Sequence, residues 1–190
     1  MRAATGAISE VHAADGKLVC NVIGNGAARG VCGSGLVDAV AVGLDLGWVQ
    51  PSGRLAQGDS LVLAPAVSLT QRDIRELQLA KGAIAAGLNL LLEQWGANKE
   101  DLTQVYLAGA FGNYVNQASA RRIGLLDIPA EKIRASGNTA LLGAKLALFS
   151  LMEHQGAYPD VLARVRHVSL NEDPRFQEAF VAEMGFPEPA

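Results

Sequence analysis

Apolar and polar positions change period several times along this chain of 190 residues. Thr5 to Ala13 and Lys17 to Ile23 are rich in β-formers and flank Ala14-Asp15-Gly16, and an Asp-Gly pair between two such runs predicts a β-hairpin. Gly24-Asn25-Gly26 to Gly30 reads as a loop. Beyond it Leu36, Val37, Val40 and Leu44 recur at helical steps, which predicts a helix from Gly33 to Leu46 with Ser34 as N-cap and Gly47 as stop. Trp48 to Leu63 carries the turn formers Pro51-Ser52-Gly53 and Gly58-Asp59-Ser60 and reads as irregular with at most short strands. Leu61 to Leu63 and Ala66 to Leu69 each read as a short strand. Thr70-Gln71-Arg72-Asp73 then has the form of a capping box, and Ile74, Leu77, Ile84, Leu88, Leu91, Leu92 and Trp95 repeat at three- and four-residue steps up to Gly96. This is the longest predicted element, about 25 residues.

In the second half, Val105 to Asn113 reads Val-Tyr-Leu-Ala-Gly-Ala-Phe-Gly-Asn, an apolar run suited to a strand buried on both faces that ends in a turn at Gly109 and Gly112. A short helix over Gln117 to Ile123 and a strand at Lys132 to Ala135 follow. Asn138 is placed to cap a helix from Thr139 to about His154. A strand at Val165 to Leu170 and a helix from Pro174 to Met184, capped by Asp173 with Pro174 in its first position, complete the pattern, and Pro187 to Ala190 reads as a frayed end. A hairpin followed by helices alternating with single strands predicts a three-layer α/β arrangement with a mixed sheet.

Composition narrows the functional classes. Hydrophobic residues make up 49% and charged residues 18%, a globular balance, and no apolar run approaches the roughly 18 to 20 residues of a membrane span. The opening Met-Arg-Ala-Ala-Thr-Gly has no apolar signal core, so the expectation is a soluble, cytoplasmic chain forming one domain or one lobe of a two-lobed protein. A net charge of -3 without any basic block argues against a nucleic-acid partner. Cys20 and Cys32 have no Cys or His at metal-ligand spacing; a reduced pair acting as small hydrophobes is preferred to a single disulfide.

The chemistry-bearing candidates are glycine-rich. Gly33-Ser34-Gly35 opens a helix, where backbone N–H groups and the helix dipole favour an anion; the alternative is a tight turn that packs helix on sheet. It is neither a Walker A loop nor Gly-x-Gly-x-x-Gly, and a Rossmann variant through Gly24, Gly26 and Gly30 has the wrong spacings. Gly109, Ala110, Phe111, Gly112 and Asn113 follow a strand where open α/β sheets bind ligands, and Gln78 and Lys81 on the long helix are candidates to reach over a nucleotide held there, unless they are only its solvated side. His12, His154 and His167 lie far apart, with no nucleophile elbow. No Asp-x-Asp or Asp-x-Gly-Thr element is present to hold magnesium, so no catalytic or metal-binding residue is assigned.

Four segments carry a resemblance: Met1 to Ile8, Arg29 to Asp38, Leu69 to Ile84 and Tyr106 to Asn113 resemble the C-terminal, actin-like ATPase region of the [2Fe-2S] iron-sulfur reductive activators of corrinoid proteins. The resemblance runs over nearly the whole chain. It implies a ribonuclease H-like lobe of the acetate and sugar kinase/Hsp70/actin fold, a mixed sheet flanked by helices. Gly109 to Asn113 would line the adenosine side of an ATP or ADP site, with Gln78 and Lys81 above it and Gly33, Ser34 and Gly35 near the interlobe cleft. The resemblance also implies that the [2Fe-2S] domain and the Asp-x-Gly-Thr loops lie upstream, so that residues 1–190 form a single C-terminal lobe. It implies ATP-dependent reduction of Co(II) corrinoid proteins of methyltransferase systems by the whole protein, homodimerisation, and an inactive isolated lobe. The alternative is an interaction or dimerisation module that docks a corrinoid protein without binding nucleotide.

Overall fold

The computed structural model describes residues 1–152 and 157–188. The amino-terminal hairpin forms as expected: β1 (Ala7–Ala14) pairs antiparallel with β2 (Lys17–Val22), and Ala14 faces Lys17 across the turn. Asp15 and Gly16 have φ of 51° and 70°, the left-handed pair that matches strand twist in a two-residue hairpin. A strand not foreseen in the loop, β3 (Gly30–Val31), lies parallel on the other side of β1, so the sheet order is β2-β1-β3. At two residues it is too short to leave a periodic signal.

Helix α1 (Gly33–Asp45) packs directly on β1, and its stop is as read, with Leu46 as C-cap and Gly47 at φ 69°. Its start corrects the expectation: Cys32, not Ser34, occupies the N-cap, and the Ser34 hydroxyl donates to the Ser9 carbonyl at 2.8 Å. The hairpin of β4 (Ser60–Ala64) and β5 (Val67–Thr70) leads into α2 (Gln71–Trp95). The Thr70 side chain accepts from the Asp73 amide, Asp73 accepts from the Thr70 amide, and Gly96 closes the helix in the left-handed conformation. Both signals are local, and both were legible.

The carboxyl-terminal half departs further. β6 (Val105–Leu107) and β7 (Ile133–Ala135) form a two-stranded parallel sheet not joined by hydrogen bonds to the others among the described residues. Tyr106 is 65% exposed and Val105 and Leu107 are only half-buried, so β6 is not covered on both faces as its composition predicts. The expected glycine turn is instead α3 (Gly109–Tyr114), followed by α4 (Gln117–Arg122), whose cap Asn116 accepts from Ala118 and Ser119. α5 (Thr139–Met152) begins where expected, and its expected end at His154 lies outside the described residues.

The strand expected at Val165 to Leu170 is absent. No neighbouring strand pairs with that run, which leaves α6 (Ala157–Arg164) as an irregular segment and reaches a short 3-10 turn at Leu170–Glu172. α6 is not among the expected elements; its Pro159 lies in the first turn, where proline is tolerated. α7 (Phe176–Ala182) starts two residues later than expected, with Arg175 as N-cap; the Asp173 carboxylate accepts from the Arg175 amide and guanidinium.

The core joins β1, α1, the β4–β5 hairpin, the first turns of α2, the stretch Val115 to Leu126, and Phe186 from the tail. Fully buried Ile8, Leu69, Ile74 and Ile123 anchor it. Among the described residues no helix is long and apolar enough to cross a membrane.

Candidate functional site

The start of α1 and two aromatic residues of α3 line one cleft. The Cys32 amide donates to the Ile8 carbonyl at 3.0 Å, which turns the chain out of β3 and into α1. No side chain caps the first turn of α1, so its leading N–H groups keep their partial positive charge for an anion. Gly35 has a packing reason: a Cβ there would stand 2.4 Å from the Ile8 carbonyl oxygen, so only glycine lets α1 lie this close to β1. A Cβ on Gly33 would meet the Phe111 ring at 3.3 Å.

Phe111 comes from the second glycine segment. Gly109 adopts φ 84° and its amide donates to the Gly137 carbonyl at 2.7 Å, tying the start of α3 to the residues that follow β7. Gly112 folds back on the end of β6, where a Cβ would approach the Leu107 carbonyl carbon to 2.9 Å. The side chains of Ala110 and Asn113 lie outside the described residues. Between the segments is a cleft of about 420 Å³ lined by Met1, Arg2, Ala3, Cys32, Gly33, Ser34, Phe111 and Tyr114. The volume is in the range of small-ligand sites. Its floor is the uncapped helix start and its walls carry two exposed aromatic rings, a chemistry suited to an aromatic base with an anionic substituent. Cys32, read in the sequence only as a small hydrophobe, and Tyr114 were not expected at the site; Tyr114 enters the cleft because α3 is helical.

Gln78 and Lys81 stand elsewhere. The Gln78 amide nitrogen donates to the carbonyls of Ser52 (3.1 Å) and Met184 (3.0 Å), bridging the loop after α1 to the carboxyl-terminal tail. Lys81 is 2% exposed; its ammonium is 3.5 Å from the Gly124 carbonyl and 3.9 Å from the Glu183 carboxylate. Burial pushes the Lys81 amine below its ordinary value, and Glu183 opposes the shift. Lys81 and Glu183 border a separate cleft of about 780 Å³ with Arg121, Arg122 and Lys99. The structure therefore brings Gly33, Ser34 and Phe111 together, with Gly35 one residue behind, and gives Gln78 and Lys81 to the tail. The sequence spacing between Gln78 and Met184, 106 residues, carries no signal for that contact.

One further buried polar group sits beneath α1. Asp38 accepts from the Val11 amide at 3.2 Å through Oδ2, while Oδ1 has no hydrogen-bond partner among the described residues. Burial raises its carboxyl above the ordinary value, and Ser119 and the Val11 amide pull the other way. Both cysteines are free thiols, and among the described residues no group of three His, Cys, Asp or Glu side chains is placed to hold a metal.

Comparison with known proteins adds identity to this geometry. The model of a family described as the C-terminal domain of RACo, the ASKHA domain, matches residues 1–190. The chain is 36% identical to the corrinoid activation enzyme RamQ of Eubacterium limosum, over 98% of this chain and 36% of that protein. It is 30% identical to the [Co(II) methylated amine-specific corrinoid protein] reductase of Methanosarcina barkeri, over 84% of this chain and 29% of the relative. A solved reductive activator for corrinoid, iron-sulfur protein superposes with a TM-score of 0.86 at 30% identity, covering 99% of this chain and 33% of the other. The chain thus spans about one third of the length of the proteins it matches.

Proposed function

We propose a role that proceeds from membership: the chain belongs to the family of the C-terminal ASKHA domain of RACo-type activators, whose members compared above activate or reduce corrinoid proteins. In this reading it is the nucleotide-binding lobe of an ATP-dependent activator that returns an inactive Co(II) corrinoid protein to Co(I). The single electron comes from a [2Fe-2S] cluster held in a different part of the whole protein, in the cytoplasm. ATP or ADP would supply the conformational drive, and no step of the electron transfer falls on these residues.

The observation that carries the reading is the cleft in which the uncapped start of α1 lies beside the Phe111 and Tyr114 rings of α3. The uncapped first turn of α1 at Gly33 to Gly35 suits a phosphate, and the Gly109 to Asn113 turn of α3, with the Phe111 ring, suits the adenosine. Gln78 and Lys81 contribute by holding the tail and not by touching the nucleotide. In this reading the lobe alone neither hydrolyses ATP nor reduces the corrinoid, because its sequence carries no Asp-x-Asp or Asp-x-Gly-Thr element for magnesium and the cluster belongs to another part of the whole protein.

Isothermal titration with ADP tests the reading in the chain and in the whole activator. Binding should be weak in the chain, stronger in the whole protein, and lost in Gly109→Val, since φ of 84° is strained for a β-branched residue. No heat at millimolar ADP in the chain, together with unchanged binding by the Gly109→Val activator, refutes it. The bare apolar surface of α5 favours a second reading, a module that docks a corrinoid protein or a second copy without nucleotide.

A further inference from the structure

The cleft beside the carboxyl-terminal tail is lined by charge, and its cations are unequally partnered. Lys99 donates to Asp127 at 2.9 Å, and Arg122 is held by Asp45, outside the cleft, and by the Pro187 carbonyl at 2.9 Å. Arg121 and Lys81 are left over. The Arg121 guanidinium is exposed and has no partner among the described residues. Lys81 is 2% exposed, yet its 3.5 Å approach to the Gly124 carbonyl and 3.9 Å approach to Glu183 lie at the outer limits of a hydrogen bond and an ion pair. The other oxygen of Glu183 accepts from the Asn89 amide nitrogen at 2.9 Å. A buried ammonium has three donors, and burial is costly unless acceptors meet them. Gly124, at φ 72°, keeps the space beside the ammonium open: a Cβ there would stand 3.0 Å from Nζ and 3.1 Å from the Pro187 ring.

We propose that this cleft binds a single phosphate group, free or carried by a small metabolite, between the Lys81 ammonium and the Arg121 guanidinium, with Arg122 fixed at its side. A compact ammonium and a planar guanidinium are the two side chains that make charge-assisted hydrogen bonds to phosphate oxygens, and the phosphate supplies the acceptors that Lys81 lacks. Asp127, Glu183 and Glu188 in the same lining repel further negative charge, which limits the ligand to one phosphate and excludes a polyanion. A cleft of about 780 Å³ leaves room for the remainder of a small molecule. It shares no lining residue with the cleft at the start of α1, so the assignment does not rest on the nucleotide reading. Because residues 183, 185, 186 and 187 form one wall, an occupied cleft fastens the tail to α2 and α4.

Isothermal titration with inorganic phosphate and, separately, with glycerol 3-phosphate tests the site in the chain and in the whole activator, without nucleotide. At least one of the two should bind with a dissociation constant of about 1 mM or tighter, and amide exchange over residues 183–187 should slow on binding. Tighter binding of the ester assigns the site to an organic phosphate; equal binding assigns it to the free ion. Lys81→Met should weaken binding by about tenfold or more, and Arg121→Gln, on an exposed side chain that leaves the fold intact, by roughly threefold to tenfold. Unchanged exchange in α1 shows that each variant is folded. Three results overturn the proposal: no binding of either probe below roughly 10 mM in chain and activator alike, affinity unchanged in folded Arg121→Gln, or an exchange footprint on residues 32–35 in place of 183–187, which would give the ion to the α1 cleft.

Discussion

α1 and α5 are nearly equal in length and both predominantly apolar, yet nine of the 13 residues of α1 are buried and none of the described side chains of α5 is. The difference lies in what stands beneath them. α1 presents glycines to its neighbours: Gly35 lies against the backbone of β1, and Gly43 sits where a Cβ would be 2.9 Å from a methyl of Val49. α5 presents Gly143 to open space, with no atom within 4 Å of an added Cβ. Apolar composition drives burial only where a complementary surface exists, and in this molecule that surface exists for one half of the chain.

The contrast can be broken in a graded series. Truncating the 2% exposed Leu69 to Ala should cost about 2 to 5 kcal/mol, the range for a buried leucine, whereas Leu146→Ala in α5 should change stability by less than about 0.5 kcal/mol; urea unfolding midpoints check both. A similar cost for the two would remove the distinction between the halves. The paired glycines sharpen it, because their signs differ. Gly35→Ala forces α1 off the Ile8 carbonyl and should destabilise by roughly 1 to 3 kcal/mol, while Gly143→Ala should stabilise by roughly 0.5 to 1 kcal/mol, as alanine does in an open helix.

Effects that depend on pH are expected from two carboxylates with opposite behaviour. Asp73, held below the ordinary carboxyl value by Thr70, stabilises above that value, and the contribution is lost as pH falls through its folded pKa; Asp73→Asn should flatten this acid limb and cost roughly 1 kcal/mol at neutral pH. Asp38 is raised by burial, so its unfolded form ionises first and stability drains as pH rises from the ordinary carboxyl value to the folded one. Asp38→Asn should therefore gain on the unsubstituted chain across that window and hold its advantage above it. Thermal melts over a pH series read both.

Legibility followed the range of the interaction. The Asp15-Gly16 turn, the Thr70/Asp73 capping box and the Gly96 stop are decided within a few residues, and each was readable from spacing alone. So was the glycine-led helix start at Gly33, whereas Gly109 was read as a turn and opens α3. What the spacing did not carry is tertiary: β3 exists because β1 offers an edge, the Val165 run fails as a strand because nothing pairs with it, and Gln78 turns to Ser52 and Met184. The over-reading of β6 as doubly covered belongs to the same class. Its residues have the composition of an interior strand, and among the described residues it has a strand neighbour on one side, β7.

Native-state amide hydrogen exchange, read helix by helix in the chain alone, tests most directly the claim that one half is self-sufficient and the other awaits a covering surface. Amides of α1 should exchange only through global unfolding, and those of α5 through local opening, orders of magnitude faster. Equal protection of α1 and α5 in the isolated chain would contradict it.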